Sequence, residues 1–463
     1  MKKQKGHFDA IIIGSGQAGS PLAQALAAKG KSVAMIEKSH LGGTCVNTGC
    51  TPTKAYVASA RAAWVARNAS RLGVHLSGKV TVNMKEVKTR KDKLIMASRN
   101  SIEGSFDDNP RITLIRGSAK FTGPKSIEVN GETCSADQIF INVGARPRIP
   151  KGFETVKFYT NASILELEEI PERLIIVGGS YIGLEFAQIF SRFGSHVTVV
   201  EMKPRLIDRE DKTTSEQIQE ILKAEDIVLE LNATCISGKP FGDGVEVDLD
   251  CGGHARSIRG SHLLVATGRQ SNADLLGLHM AGVKTDEHAY ITVDDHLETN
   301  VDGVFALGDC NGKGAFTHTA YNDFEIVGEN LLEGKSRKLS DRVLNYALYT
   351  DPPMGRAGLS RDQALEAGHS ILYGRMEMAE IARAKEKSET FGFMEVVVDA
   401  KTEKILGATV FGTGGDEIIG VFLTAMYAGI SYTVLRDSVQ THPTVVELIP
   451  SMLKKLKLLN PKS

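Results

Sequence analysis

The chain has 463 residues, and its 55 lysines and arginines balance 56 aspartates and glutamates to a formal net charge of −1. Such a balance argues against a basic surface for nucleic acid or an anionic membrane. The length exceeds what one hydrophobic core serves and favours about three units of about 150 residues each.

Six cysteines are too few for a disulfide scaffold in a chain of this length. We find no run of about 18 apolar residues that would cross a bilayer. The basic first residues lead into a short apolar run and a glycine loop, which is not the pattern of a signal peptide. We therefore expect a soluble, cytoplasmic protein.

The first glycine motif lies close to the start of the chain. Residues 8–13 (Phe-Asp-Ala-Ile-Ile-Ile) predict a buried parallel strand, and residues 14–19 (Gly-Ser-Gly-Gln-Ala-Gly) lead into a helix that ends at Gly30. A second strand over 32–36 is followed by Glu37, which can accept hydrogen bonds from a ribose diol. This order predicts a dinucleotide-binding fold.

Each glycine of this loop has a separate physical reason. Gly14 permits the tight turn, Gly16 lets a pyrophosphate approach the backbone, and Gly19 lets the helix pack closely on the strand.

Two cysteines separated by four residues, Cys45 and Cys50, precede a helical pattern from about Pro52 to Arg71. This places Cys50 at or beside a helix N-terminus, where free amides stabilise a thiolate. Pro52 suits the first helical position because its missing N–H has no partner there. The pair predicts a disulfide that closes and reopens.

The stretch from 72 to 140 alternates strand-like segments with a charged helical region, 82–100, whose charges we assign to a solvated face. Further along, 139–146 and 263–269 look like paired strand-to-loop exits that close the two nucleotide units, and they contribute Gly144 and Gly268 to the predicted sites.

The glycine motif then recurs. A strand over 173–177 is followed by residues 178–183 (Gly-Gly-Ser-Tyr-Ile-Gly), a helix that ends at Gly194, and a strand over 196–200 followed by Glu201. In both copies the acid follows the first glycine by 23 residues. Two dinucleotides are therefore expected.

The second copy departs from the pattern at Ser180, where a small side chain still permits close approach. Glu201 favours NADH over NADPH, because a carboxylate repels a 2′-phosphate. Lys203 and Arg205 lie close enough in the sequence to weaken that preference.

Residues 301–309 predict a strand that ends in Asp309, followed by a helix from about Thr317. Asp309 is placed to bind a ribityl hydroxyl or phosphate-side group of the first dinucleotide, and the alternative is a helix cap. Cys310 is interpreted as a small buried hydrophobe.

The pattern of predicted elements changes from about Arg342. Strands over 392–399 and 404–411 are followed by helices from Asp416 and Val445, with no glycine fingerprint. The apolar faces of this unit suggest a dimer surface. We interpret the basic end, 454–457, as a helix C-terminus that complements the helix dipole.

These segments together resemble the flavoprotein disulfide reductases, the superfamily of lipoamide dehydrogenase, glutathione reductase and mercuric reductase. The match spans Asp9 to Glu447 and is most specific at 42–54, Gly-Gly-Thr-Cys-Val-Asn-Thr-Gly-Cys-Thr-Pro-Thr-Lys. The resemblance implies an α/β fold with two Rossmann-like dinucleotide-binding domains and a C-terminal α+β dimerisation domain. The expected division is FAD binding by 1–150 and 274–340, NAD(P) binding by 151–273, and dimerisation by 341–463.

The resemblance also implies roles for individual residues. Cys50 lies against the flavin, Cys45 is the outer thiol that meets the substrate, and Lys54 pairs with Glu185 near the reactive flavin nitrogen. The turn 317–320 points its amides at the flavin's pyrimidine edge. With the positions derived above, the FAD site comprises Gly14, Ser15, Gly16, Gly19, Glu37, Lys38, Gly43, Thr44, Lys54, Gly144, Asp309, Thr317, His318 and Ala320. The NAD(P) site comprises Gly178, Gly179, Ser180, Tyr181, Ile182, Gly183, Glu201 and Gly268.

The segment His442-Pro-Thr-Val-Val-Glu447 carries one further implication. In this superfamily the same segment crosses a twofold interface of a homodimer, where the histidine is acid and base for the outer thiol and the glutamate orients its ring. No metal site is predicted.

The identity of the acceptor stays open at this stage. Residues 45–54 and 316–320 are closest to the mercuric-reductase-like branch, but no cysteine follows Cys310 and no N-terminal Cys-x-x-Cys unit is present to capture Hg(II). The alternatives are a dihydrolipoyl dehydrogenase, a reductase of small disulfides, and a reductase of hypohalous or hypothiocyanous acid. A non-catalytic flavin redox sensor is the alternative from another class, and Lys54, Glu185, His442 and Glu447 weigh against it.

Overall fold

A run of aliphatic and β-branched residues forms the inner strand of the first sheet. In the computed structural model, which describes residues 6–251 and 253–461, His7–Ile13 pairs in parallel with Val33–Glu37 on one side and Glu132–Ile141 on the other. Alternate residues of this strand belong to two different hydrophobic clusters, with Ile11 in one and Ile12 in the other. The sheet is therefore buried on both faces, as a parallel sheet requires.

Helices and strands alternate through the first two thirds of the chain. The first sheet also contains the parallel strands Ile112–Arg116 and Val304–Ala306 and the antiparallel strands Ala119–Gly123 and Ser126–Val129. A second parallel sheet has the strand order Val228–Glu230, His196–Val200, Arg173–Val177, His262–Val265. Beside it lies an antiparallel sheet of Ala233–Phe241, Gly244–Cys251 and Ala255–Gly260.

The predicted pairing of the two strand-to-loop exits is confirmed: Ala145–Pro147 pairs antiparallel with Arg269–Ser271. The C-terminal sheet is antiparallel and contains the strands Asn345–Leu348, Met354–Gly358, Ile405–Phe411, Phe393–Asp399, Ile371–Glu377 and Lys457–Leu459, in that order. Within the basic end, Lys454 caps the C-terminus of the helix Ile449–Leu453, as predicted, whereas Lys457 begins an edge strand that pairs with Ile371–Glu377.

We number the α-helices in chain order. They are α1 Gly19–Ala28, α2 Gly43–Thr48, α3 Cys50–Asn68, α4 Met84–Asp107, α5 Tyr181–Phe193, α6 Lys212–Ala224, α7 Thr317–Glu333, α8 Arg361–Glu366, α9 Ala382–Glu386, α10 Gly415–Ala428, α11 Tyr432–Arg436 and α12 Ile449–Leu453. Among the described residues, none of these helices is both long and apolar enough to cross a bilayer.

The helix that carries Cys50 begins two residues before the predicted position. Cys50, not Pro52, is its first residue, and Gly49 separates it from the short helix α2, which carries Cys45. A side chain at Gly49 would put a Cβ 2.9 Å from the carbonyl oxygen of Thr44, so only glycine lets the two helices meet this closely. This junction brings the two cysteines together.

Candidate active site

One large cavity lies where the first glycine loop, α2, α3, α5 and the start of α7 converge. Its volume is about 670 Å³, within the range of small-molecule and cofactor sites. We call it the main cavity. Its lining includes Gly14, Ser15, Gly16, Glu37, Lys38, Gly43, Thr44, Cys45, Cys50, Lys54, Gly144, Tyr181, Ile182, Glu185, Asp309, Thr317, His318 and Ala320.

The first glycine loop forms a cradle that any added Cβ would fill. At Gly14, which has φ +103°, a Cβ would lie 2.3 Å from the carbonyl oxygen of Asn142, and at Gly16 it would lie 2.8 Å from the Asn142 Oδ1. At Gly43 it would lie 2.8 Å from the Cα of Gly16. Glycine therefore lets the loop pack tightly, and among the described residues the amides of Gly16 and Gln17 have no protein acceptor and are available to a ligand, as dinucleotide binding requires.

Glu37 is held in place at the end of its strand. Its Oε2 accepts hydrogen bonds from the Ser15 amide at 3.0 Å and the Ser15 hydroxyl at 2.8 Å, and its Oε1 accepts one from the Ser39 amide at 2.8 Å.

Gly19 lies outside the cavity lining. If another residue replaced it, the Cβ would lie 2.1 Å from the carbonyl oxygen of Gly14. That contact is the close helix–strand packing predicted for it.

Asn142 and Arg269 are among the lining residues that sequence analysis did not identify. The Asn142 Oδ1 accepts a hydrogen bond from the Gly19 amide at 3.0 Å, and its Nδ2 donates to the carbonyl of Leu307 at 2.8 Å. Arg269 lies 3.2 Å from Asp309, whose carboxyl pKa is raised by burial despite the guanidinium. A polar residue directly after a buried parallel strand was the available signal for Asn142.

Cys45 and Cys50 lie side by side, and both are free thiols. Cys50 shares a hydrogen bond of 3.0 Å with the hydroxyl of Thr317, the first residue of α7. The hydrogen bond from Cys45 is the largest cause that lowers the pKa of Cys50, to about 6, and Thr317 and Lys54 act in the same direction. The same pairing raises the pKa of Cys45. The negative charge of the reduced pair therefore belongs on Cys50, at the start of α3.

Lys54 and Glu185 meet across two helices that are far apart in sequence. The Lys54 Nζ lies 2.5 Å from the Glu185 Oε2, and the carboxylate is almost fully buried. The second oxygen, Oε1, accepts a hydrogen bond from the backbone amide of Tyr349 at 3.1 Å. The ammonium also lies 4.3 Å from the centroid of the Tyr349 ring. The predicted pair is thus brought together with a third residue that sequence analysis did not identify.

The second glycine loop repeats the geometry of the first. A Cβ at Gly178, which has φ +118°, would lie 2.4 Å from the carbonyl oxygen of Ala266. The Glu201 carboxylate accepts hydrogen bonds from the Gly179 amide at 2.6 Å and the Lys203 amide at 2.8 Å. Ser180 precedes α5 in an extended conformation.

Of the residues predicted for this second site, Tyr181 and Ile182 also line the main cavity, so the two sites meet at the start of α5. The remaining ones, Gly178, Gly179, Ser180, Gly183, Glu201 and Gly268, lie outside its lining.

His442 and Glu447 also lie outside the lining of the main cavity. The His442 Nδ1 is 2.8 Å from the Glu447 Oε2, while 76% of the imidazole side chain is exposed. Cys310, in contrast, is fully buried, and burial together with nearby Asp309 raises the pKa of its thiol to about 12. Its packing agrees with the interpretation as a small buried hydrophobe.

Two glycine-loop folds, each with an acid at the end of its second strand, together with a reactive thiol pair at a helix start, define a dinucleotide-dependent thiol–disulfide oxidoreductase. Comparison with known families agrees with this class. The model for pyridine nucleotide-disulphide oxidoreductases matches residues 8–323, and the model for their dimerisation domain matches residues 344–453. The chain belongs to the pyridine nucleotide-disulphide oxidoreductase family, and it is an FAD-dependent enzyme.

Relatives with several names match almost the whole chain. A probable pyridine nucleotide-disulfide oxidoreductase of Escherichia coli, RclA, is 34% identical to this chain. The alignment covers 97% of this chain and 99% of the RclA chain. The solved structure of RclA, described as an HOCl-induced flavoprotein disulfide reductase, superposes on this chain with a TM-score of 0.88 at 33% sequence identity. The superposition covers 97% of this chain and 100% of the RclA chain.

A mercuric reductase of Bacillus cereus is 33% identical over 95% of this chain and 70% of its own length. A dihydrolipoyl dehydrogenase of Thermus scotoductus is 33% identical over 95% of each chain.

The main cavity fits FAD on its own geometry. The amides of Gly16 and Gln17 have no protein acceptor among the described residues and can meet a pyrophosphate, and Glu37, fixed by three hydrogen bonds, keeps one acceptor position for a ribose. Asp309 supplies a further acceptor, and the cysteine pair lies in the same cavity.

Proposed function

We propose that the protein is an NADH-dependent reductase of small disulfides or similar electrophiles, with Cys45 and Cys50 as its redox pair. The observation that carries the proposal is that the paired thiols share one cavity with the glycine cradle and the Lys54–Glu185 pair. When bound, FAD accepts the hydride of the nicotinamide and supplies the electron pair that opens the Cys45–Cys50 disulfide.

The thiol steps follow from the different pKa values of the two cysteines. Cys50 holds the negative charge, and Cys45 gives its proton to a base and attacks one sulfur of the substrate disulfide. The substrate S–S bond breaks, and the leaving thiolate takes a proton from the protonated base. Cys50 then attacks the Sγ of Cys45, which restores the disulfide and releases the second substrate thiol, protonated from solvent.

We assign the base to His442 of a second copy of the chain in a homodimer. An imidazole that is 76% exposed, with its Nδ1 already bonded to Glu447, has its Nε2 available for a group outside its own chain. The match of residues 344–453 to the dimerisation-domain model supports this pairing of copies. In the same proposal FAD belongs to 1–150 and 274–340, the nicotinamide coenzyme to 151–273, and contact between copies to 341–463. The predicted cytoplasmic location is part of the same proposal.

The coenzyme preference is tested at Glu201. Removing its charge while keeping its shape, with Glu201→Gln, should raise the ratio of kcat/KM for NADPH over NADH about tenfold or more, because the carboxylate no longer repels a 2′-phosphate. Arg205 is 3.2 Å from Asp208, so its charge is already partly engaged. Steady-state kinetics with both coenzymes measures the ratio, and an unchanged ratio would contradict the NADH assignment.

The acceptor class is tested with a panel of lipoamide, glutathione disulfide, Hg(II), a quinone and hypothiocyanite, each with NADH and the FAD-loaded protein. We expect rapid NADH oxidation with at least one electrophile that reacts with thiols, and loss of that activity in Cys45→Ala. Turnover that is independent of Cys45, or restricted to the quinone, would contradict the proposal. Flavin reduction without turnover of any acceptor would favour the redox sensor.

A further inference from the structure

A short segment of the C-terminal unit, Tyr349–Asp351, lies across the two helices that carry Lys54 and Glu185. At one end of this segment, the Tyr349 amide donates to the Glu185 Oε1 at 3.1 Å, and the Tyr349 ring faces the Lys54 ammonium at 4.3 Å from its centroid. The ring thus contacts the cation while the backbone of the same residue holds the anion.

The other end of the segment is fixed by a second set of contacts. The side-chain amide of Gln188 donates to the carbonyl of Asp351 at 3.0 Å and accepts from its N–H at 2.7 Å. The Asp351 carboxylate lies 2.5 Å from Arg61 of α3 and 2.6 Å from Arg192 of α5.

The residues that contact the two ends of this segment are spaced two helical turns apart on each helix. Lys54 and Arg61 lie seven residues apart on α3, and Glu185 and Arg192 lie seven apart on α5, so each pair shares one face of its helix. The segment therefore fixes α3 against α5 at two points two turns apart. One of these points is the Lys54–Glu185 pair in the main cavity.

We propose that Tyr349 is a positioning residue that holds the Lys54–Glu185 pair in its working geometry, through its ring face and its backbone N–H. The inference rests on the proposed role of Lys54 beside the flavin. A neutral aromatic face attracts an ammonium group, so the Tyr349 ring gives Lys54 a second contact that holds it beside Glu185. Burial and nearby carboxylates raise the pKa of Tyr349, which keeps its ring neutral.

The tyrosine hydroxyl has no part in this arrangement. Among the described residues it makes no hydrogen bond, whereas the ring and the backbone N–H both contact the pair. Phenylalanine should therefore replace Tyr349, and an aliphatic residue of similar size should not.

The test compares Tyr349→Leu with Tyr349→Phe in the FAD-loaded protein. The first readout is the rate of flavin reduction by NADH in a stopped-flow instrument, and the second is the midpoint potential of the bound flavin. We expect Tyr349→Leu to slow reduction about tenfold and to make the potential more negative, because the ammonium is no longer held in place. Tyr349→Phe should keep both values near those of the unaltered protein. If Tyr349→Leu does not fold, Tyr349→Met replaces it.

A parallel Lys54→Met variant separates this inference from the proposed function. Unchanged reduction and potential in Lys54→Met would contradict the role of Lys54 itself. A slow Lys54→Met beside a normal Tyr349→Leu would overturn only the positioning role of Tyr349. A Tyr349→Phe as impaired as Tyr349→Leu would also overturn it, because the ring face is preserved.

Discussion

Cys50→Ser should abolish the long-wavelength absorbance that a thiolate beside a flavin gives in the two-electron-reduced protein, and should lower NADH-dependent turnover by about 10⁴-fold. The thiolate on Cys50 is the group expected to give this absorbance, because Cys45, Thr317 and Lys54 lower its pKa to about 6. In the unaltered protein the absorbance should therefore grow as the pH rises through about 6. An absorbance that survives in Cys50→Ser would contradict the assignment.

Cys45→Ala is the matched control for this experiment. It removes the hydrogen bond that contributes most to lowering the pKa of Cys50 and leaves no partner for a disulfide, so the absorbance should appear in the FAD-loaded protein before any reductant is added and reach its midpoint at a higher pH. Turnover should be lost, because the thiol that meets the substrate is gone. An unshifted midpoint would show that the Cys45 thiol does not set the charge of Cys50.

His442→Gln should lower turnover on the order of 10²–10⁴-fold, the usual size of general acid–base catalysis, and leave flavin reduction by NADH intact. The reason is that His442 is proposed to serve only the exchange between Cys45 and substrate. Rapid-mixing and steady-state measurements on the same preparation separate the two half-reactions. Undiminished turnover would remove His442 from the mechanism.

Mixed dimers decide whether His442 acts on the other copy. A dimer of one His442→Gln chain and one Cys45→Ala chain contains one complete site only if the histidine and the cysteine of a site come from different chains. Such dimers should recover up to half of the normal turnover per dimer, although each parent homodimer is nearly inactive. No recovery would place His442 in the site of its own chain.

Local signals were enough to predict the two nucleotide folds. A glycine loop between a buried strand and a helix, followed by an acid, is set by contacts within about 30 residues, which is why Glu37 and Glu201 occupy equivalent positions. The two cysteines were likewise recognisable because helix starts stabilise thiolates. The predicted start of α3 was wrong by two residues. The helix begins at Cys50 because Gly49 lets α2 and α3 meet closely, and that depends on the close contact between Gly49 and Thr44, which the sequence pattern does not show.

Residues whose roles depend on distant contacts were not predictable in this way. Tyr349 is 164 residues from Glu185 in the sequence, and their contact depends on how the C-terminal sheet lies against α5. Arg269 meets Asp309 only because the strand Arg269–Ser271 lies beside the helical turn Gly308–Asn311, which is distant from it in sequence. Without the resemblance to a known family, His442 would read as an ordinary surface histidine, because the proposed site of its action is in another copy of the chain.

The most direct test of the proposed route of electrons is to count thiols after one equivalent of NADH is added anaerobically to the oxidised, FAD-loaded protein. Iodoacetamide labelling after anaerobic denaturation, followed by peptide mass analysis, reports each cysteine separately. Cys45 and Cys50 should be unlabelled before NADH and both labelled after it. A flavin that is reduced by NADH while both cysteines stay unlabelled would contradict the account.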